Sequence, residues 1–146
     1  MKHLLILIVF FYTSFSLAQS VDCTDLLSTY ATKPQKVTFI SCKTGSGQII
    51  LEANYKVSGK DSEEIERFLI RKYGMGKLTF VCCGWEPTNG QNGYIENEQL
   101  KNSNENYVLE VSMFANAEKE AKKGSFTIEK DRTKLDFYIK VRLLEI

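Results

Sequence analysis

Over residues 36–43 and again over 48–57 the chain alternates apolar and polar positions. In the second stretch Ile49, Leu51, Ala53, Tyr55 and Val57 fall on one face. A period of two describes a half-buried strand. Thr44-Gly45-Ser46-Gly47 between the stretches is a turn cluster, so the pair reads as a hairpin. The same alternation returns three times. Leu78, Phe80 and Cys82 alternate with Thr79, Val81 and Cys83. Tyr107, Leu109, Val111 and Met113 share one face, as do Leu135, Phe137, Ile139, Val141 and Leu143. The period changes over 61–73, where Ile65, Phe68, Leu69 and Tyr73 form a helical stripe. Asp61 and Glu64 in front of it have capping-box spacing, and Gly74 follows as a left-handed C-cap. A shorter helix is predicted over 22–30 from Leu26, Leu27 and Tyr30, with Pro34 ending it. Residues 84–103 are polar and rich in Asn and Gly and read as a surface loop. The charged stretch 115–123 reads as a short helical connection.

One-sided alternation implies a sheet covered on one face, with the helices as the cover. The expected fold is α+β: two layers, a mainly antiparallel five-stranded sheet, and two helices on one face. The segment through helix 61–73 would make any parallel crossover, right-handed if formed.

The start of the chain follows a different rule. Lys2 and His3 precede an unbroken apolar run over 4–12, and Ser16-Leu17-Ala18 places small residues before a cut between Ala18 and Gln19. This is the pattern of a cleavable signal peptide over 1–18. A membrane anchor needs about 20 apolar residues, and this run breaks at Thr13 and Ser14. Asp22 before Cys23 argues against a lipid anchor. The expectation is an exported protein, periplasmic or secreted, whose mature part, 19–146, is a single domain with no membrane span.

Export alters the chemistry available. The chain has 19 Lys and Arg, 18 Asp and Glu, and one His. Cleavage removes Lys2 and His3, leaving 18 charges of each sign and no histidine. A balanced chain carries no electrostatic footprint for nucleic acid. Without histidine, Ser-His-Asp and Cys-His catalysis and His-ligated metals are excluded. The acids offer little in their place. Glu63, Glu64 and Glu66 sit on the predicted helix, Glu96 and Glu98 in the polar loop, and Glu118 and Glu120 among lysines. None lies in an apolar stretch that would raise its pKa for acid catalysis. No catalytic residue and no cofactor is expected.

Four cysteines, Cys23, Cys42, Cys82 and Cys83, remain after export, an even number in an oxidising compartment. This favours two disulfides, and the spacings are unlike those of zinc sites. Strand parity puts Cys82 on the core face and Cys83 with Cys42 on the outer face. That prefers Cys23–Cys82 with Cys42–Cys83. The competing arrangement is Cys23–Cys42 with a vicinal Cys82–Cys83 bridge.

The run Cys82-Cys83-Gly84-Trp85-Glu86 is the most unusual local feature. Trp85 reads either as cover for the sheet edge or, with Glu86 and with Tyr94 further along, as the centre of a binding surface on the polar loop. Together with Tyr55-Lys56-Val57-Ser58-Gly59, the helix over 63–73, Gly74-Met75 and Val111-Ser112-Met113, this run resembles a family of small exported bacterial proteins classed as a domain of unknown function. The resemblance implies a bacterial, extracytoplasmic protein and assigns no catalytic residue. The functional expectation is a non-catalytic binding protein of the envelope or extracellular space with a protein partner there. The alternatives are an inhibitor or immunity protein against an exported toxin, and a small carboxylate-based enzyme.

Overall fold

In the computed structural model, which describes residues 21–121 and 124–146, the alternating stretches become antiparallel strands. The expected signal peptide, 1–18, lies outside the described residues. Strand β1 (Thr38–Thr44) and β2 (Ile49–Ser58) form the expected hairpin, with a register shift between Phe39 and Ser41. The remaining strands of the sheet are β3 (Leu78–Val81), β4 (Gly84–Pro87), β5 (Gly93–Ile95), β6 (Tyr107–Asn116) and β9 (Asp136–Glu145). The sheet has seven strands rather than five, in the order β1-β2-β9-β6-β4-β3, with β5 also pairing with β6. Every ladder is antiparallel. Strands β2 and β3, joined through a helix, run in the same direction, but β9, β6 and β4 stand between them. No parallel pair forms there.

The long central strands show why alternation is so readable. Ala53, Tyr55, Leu109, Val111, Met113, Phe137, Ile139, Val141 and Leu143 are fully buried on the inner face, and their neighbours in sequence face outward. Three helices rather than two supply the other half of this core. Helix α1 (Leu26–Tyr30) contributes Leu26 and Leu27, α2 (Ser62–Tyr73) contributes Ile65 and Leu69, and α3 (Glu98–Ser103) contributes Leu100. A short α1 needs help to hold its place. Asp25 caps it by accepting from the Ser28 N–H, and the buried Tyr55 hydroxyl both donates to Asp25 and accepts from the Leu27 N–H. Burial pulls the Asp25 carboxyl upward, but hydrogen bonds from Lys33, Ser28 and Tyr55 outweigh it and hold the group below its ordinary value.

Helix α2 ends as expected at Gly74, which adopts the left-handed conformation at φ 74°. Its start differs. Asp61 makes no capping hydrogen bond. The segment enters through a 3-10 turn, Gly59–Asp61, and Lys36 bridges Asp61 at 2.9 Å and Glu64 at 2.8 Å. With a cation from β1's approach segment within reach, both acids spend their oxygens on it rather than on helix N–H groups.

Two polar stretches depart from the expectation. Residues 84–103 are not an open loop but contain β4, a 3-10 turn over Thr88–Gly90, β5 and α3. Each piece is too short to show a period, and β4 and β5 are set by pairing with neighbouring strands. Residues 115–121 are not helical, and the rest of the expected connection, 122–123, lies outside the described residues: β6 runs on to Asn116, and β7 (Glu118–Glu120) pairs with β8 (Phe126–Ile128) as a separate ribbon.

Candidate binding surface

The face of the sheet opposite the helices has no element packed over it among the described residues. Registry places side chains there in rows. Glu52, Arg142 and Glu110 stand side by side across β2, β9 and β6. Asn54, Lys140 and Ser112 form the next row, and Lys56, Tyr138 and Phe114 the one after. Opposed charges on neighbouring strands attract. The Arg142 Nε lies 3.2 Å from Glu52 and its Nη1 3.2 Å from Glu110, and Lys43 approaches Glu52 at 3.3 Å. Burial raises the Glu52 carboxyl, but Arg142 and Lys43 donate to it and Lys140 adds its field, so the net shift is downward. The aromatic end of the face is a tilted Phe114–Tyr138 pair, centroids 6.1 Å apart, with the Lys140 ammonium 5.5 Å from the Phe114 ring. Beside these rows Glu86, Asn92, Glu110, Ser112, Phe114, Lys140 and Arg142 line a groove of about 320 Å3.

The sheet's other side carries a second polar cluster, this one enclosed. The 3-10 turn Arg132–Lys134 packs against the turn at 59–61 and delivers Arg132 to α2. Arg132 Nη1 donates to Glu66 at 2.6 Å and Nε to the Ser62 hydroxyl at 3.3 Å, while the other Glu66 oxygen accepts from the Leu78 N–H at 2.7 Å. The guanidinium lies 5.0 Å from the ring centroids of both Trp85 and Phe137. Trp85 meets Phe80 edge-on at 5.6 Å, and its buried Nε1 has no acceptor among the described residues.

The four cysteines are not paired as strand parity prefers. Cys23 and Cys42 form a disulfide, with Cα atoms 5.5 Å apart, tying the segment before α1 to β1. Cys82 and Cys83 carry free thiols. Parity fails because these two residues are not on a strand. Val81 pairs with Gly84, so Cys82-Cys83 is the two-residue turn of the β3–β4 hairpin, with Cys82 at φ 53°. Glycine at 84 is required by packing: a Cβ there would stand 2.6 Å from the Ala115 carbonyl oxygen. The sulfurs lie 2.7 Å apart. The hydrogen bond to Cys82, desolvation and the Glu118 carboxylate push the Cys83 thiol up to about 11.

Of the three expected binding residues, Trp85 and Glu86 border one cavity and Tyr94 stands apart from them. Trp85 is paired with inward-facing Ala115 and points to the helix side, so Glu86 next to it faces the groove. Tyr94 stands opposite Glu110 on β5, is exposed, and lines a different cavity with Tyr30, Lys72 and Tyr73. Sequence reasoning misses both arginine clusters. Glu52, Glu110 and Arg142 occupy outward positions between buried neighbours, so the alternation does contain that row. Nothing in the pattern around Arg132 marks it as enclosed.

Among the described residues no group of three or more His, Cys, Asp or Glu side chains is placed to hold a metal ion. No helix among them is long and apolar enough to cross a membrane. The family model of a domain of unknown function, DUF4952, matches residues 13–85, half of the chain, and ends at the tryptophan of the Cys-Cys-Gly-Trp run. No curated protein and no solved structure matches.

Proposed function

We propose that this chain, which belongs to the DUF4952 family, is an exported, non-catalytic binding protein that holds a protein partner on the open face of its sheet. The observation that carries the reading is that face itself: a fixed row of charges, an aromatic pair and a groove, on a side that no described element covers. Side chains already locked by one another lose less freedom when a partner arrives. Tyrosine and arginine are the residue types that most often anchor such interfaces. Glu86 has no cationic partner among the described residues, although it lines the groove. The fitting partner therefore brings a Lys or Arg to Glu86 and an apolar side chain to Phe114 and Tyr138. An inhibitor or immunity protein against an exported toxin is a particular form of this reading. An enzyme working through carboxylates draws no support here, because Glu52 is held below its ordinary value by its cations rather than raised toward neutrality.

The test is capture from the envelope fraction, followed by titration of the purified captured protein. Glu86→Lys and the double variant Phe114→Ala/Tyr138→Ala should each weaken binding at least tenfold, while Phe126→Ser on the β7–β8 ribbon should leave it unchanged. Undiminished affinity in the folded double variant would remove the open face from consideration.

A further inference from the structure

The hairpin turn that holds Cys82 and Cys83 lies at the edge of the binding face, beside Glu86 and Phe114. Its two thiols are the free cysteines among the described residues; Cys82 is exposed and Cys83 half-buried. Three observations bear on what they do. The sulfurs are already 2.7 Å apart. A cavity of about 430 Å3 opens beside them, lined by Val81, Trp85, Phe114 and Asn116 as well as by the cysteines. The backbone around them is pinned, since the Ala117 N–H donates to the Cys83 carbonyl at 2.8 Å.

We propose that Cys82 and Cys83 form a thiol–disulfide exchange site for a low-molecular-weight disulfide, Cys82 attacking first and Cys83 closing a reversible vicinal bond. The Cys82 thiolate forms a bond to one sulfur of the incoming disulfide as that disulfide's own S–S bond breaks, and one thiolate leaves. The Cys83 thiol then gives its proton to Glu118, its sulfur bonds to Cys82, and the second thiolate leaves. In total two protein thiols are oxidised, one external disulfide is reduced to two thiols, and those two thiols take up the two protons.

The order of attack follows from exposure and from the proton. Cys83 is the less exposed residue, and with its thiol held at about 11 it stays protonated at neutral pH. The thiolate is the nucleophile, so the first step falls to its neighbour. Reversibility follows from chain geometry. Adjacent Cα atoms across a trans peptide are about 3.8 Å apart, short of the roughly 4.4 Å at which ordinary disulfides begin. A bond forced across that gap is reduced more readily than one such as Cys23–Cys42, whose Cα atoms are 5.5 Å apart. The chain therefore holds a labile cysteine pair in one turn and a structural pair between the segment before α1 and β1.

The experiment equilibrates the purified protein in buffers of rising oxidised-to-reduced glutathione ratio, then alkylates it and maps the peptides by mass. Cys82 and Cys83 should pass together from two alkylated thiols to a bridged pair, while Cys23 and Cys42 stay bridged throughout. Cys83→Ser should accumulate one stable glutathione on Cys82, and Cys82→Ser should acquire glutathione at least tenfold more slowly. Glu118→Gln should slow release of the second glutathione and leave capture of the first unchanged. These turn and ribbon positions lie outside the core and can change without loss of the fold, which the melting temperature of each variant checks. Two alkylated thiols in the most oxidising buffer, or wild-type protein that ends as a stable glutathione adduct or a chain-to-chain dimer, would overturn the proposal. A Cys82→Ser variant as fast as wild type would overturn the order of attack.

Discussion

Arg132 and Arg142 lie on opposite sides of one sheet, and each binds glutamate. Arg132 and Glu66 are 16% and 6% exposed, with aromatic rings on the guanidinium and one buried N–H group, Nη2, unpaired. Arg142 is 31% exposed and shares its charge between Glu52 and Glu110, each 12% exposed. The enclosed pair gives up more hydration, so its members depend on each other: removal of one leaves a charge that neither water nor protein satisfies. The open row keeps contact with solvent, so loss of one member is partly made good by water. The same two residue types are thus a structural joint on one side and an adaptable surface on the other.

The comparison breaks most visibly at Glu66. Glu66→Ala strands the Arg132 charge and the Leu78 N–H, and should lower stability by about 3–5 kcal/mol in denaturant titration. The double variant Glu66→Leu/Arg132→Met should recover much of that loss, because no unpaired charge remains. A double variant as unstable as the single one would mean that the cluster is held by shape rather than by charge pairing.

Trp85 comes next in expected size. It is half-buried between Phe80 and Arg132, so Trp85→Ala should cost roughly 3 kcal/mol. That outcome belongs to a core residue, and partner capture by the variant protein at low temperature should persist. A melting temperature unchanged from wild type, with capture lost, would move Trp85 to the binding surface beside Glu86.

The smallest effect is expected on the open face. Arg142→Ala should lower stability by about 1 kcal/mol or less at pH 7. Its pH dependence has a definite sign. Glu52 has a carboxyl pKa lowered in the folded state, so its contribution is fully present above the ordinary carboxylate range and is lost as pH falls through the folded value. The gap between wild type and Arg142→Ala should therefore close as melts are run from pH 7 down to about pH 3. A gap that stays constant would assign the arginine's effect to the packing of its stem.

Alternation along the chain is enough to place the large strands. Tyr55, Leu109, Phe137 and Val141 are inward because period-two burial is enforced along the whole of a long strand, and one slip would expose every one of them. Helix α2 and its glycine stop are legible for the same reason, since a stripe of four apolar positions cannot be met by another period. The short elements between 84 and 103 are not legible. The three or four residues of β4 and β5 hold no period, and pairing with β6 decides their state.

The sequence by itself determined that the long strands and helix α2 form, and which of their residues face the core. Tertiary structure alone decided which cysteines meet, which face Trp85 takes, and which of two similar arginines is enclosed. The physical reason is range. Burial along a strand or helix repeats locally and so is written in the local pattern. Arg132 meets Glu66 across 66 positions of sequence and Cys23 meets Cys42 across 19. The Cys82-Cys83 turn is fixed by where Val81 and Gly84 pair. Those meetings depend on how strands are ordered in the sheet, and no local period records that order.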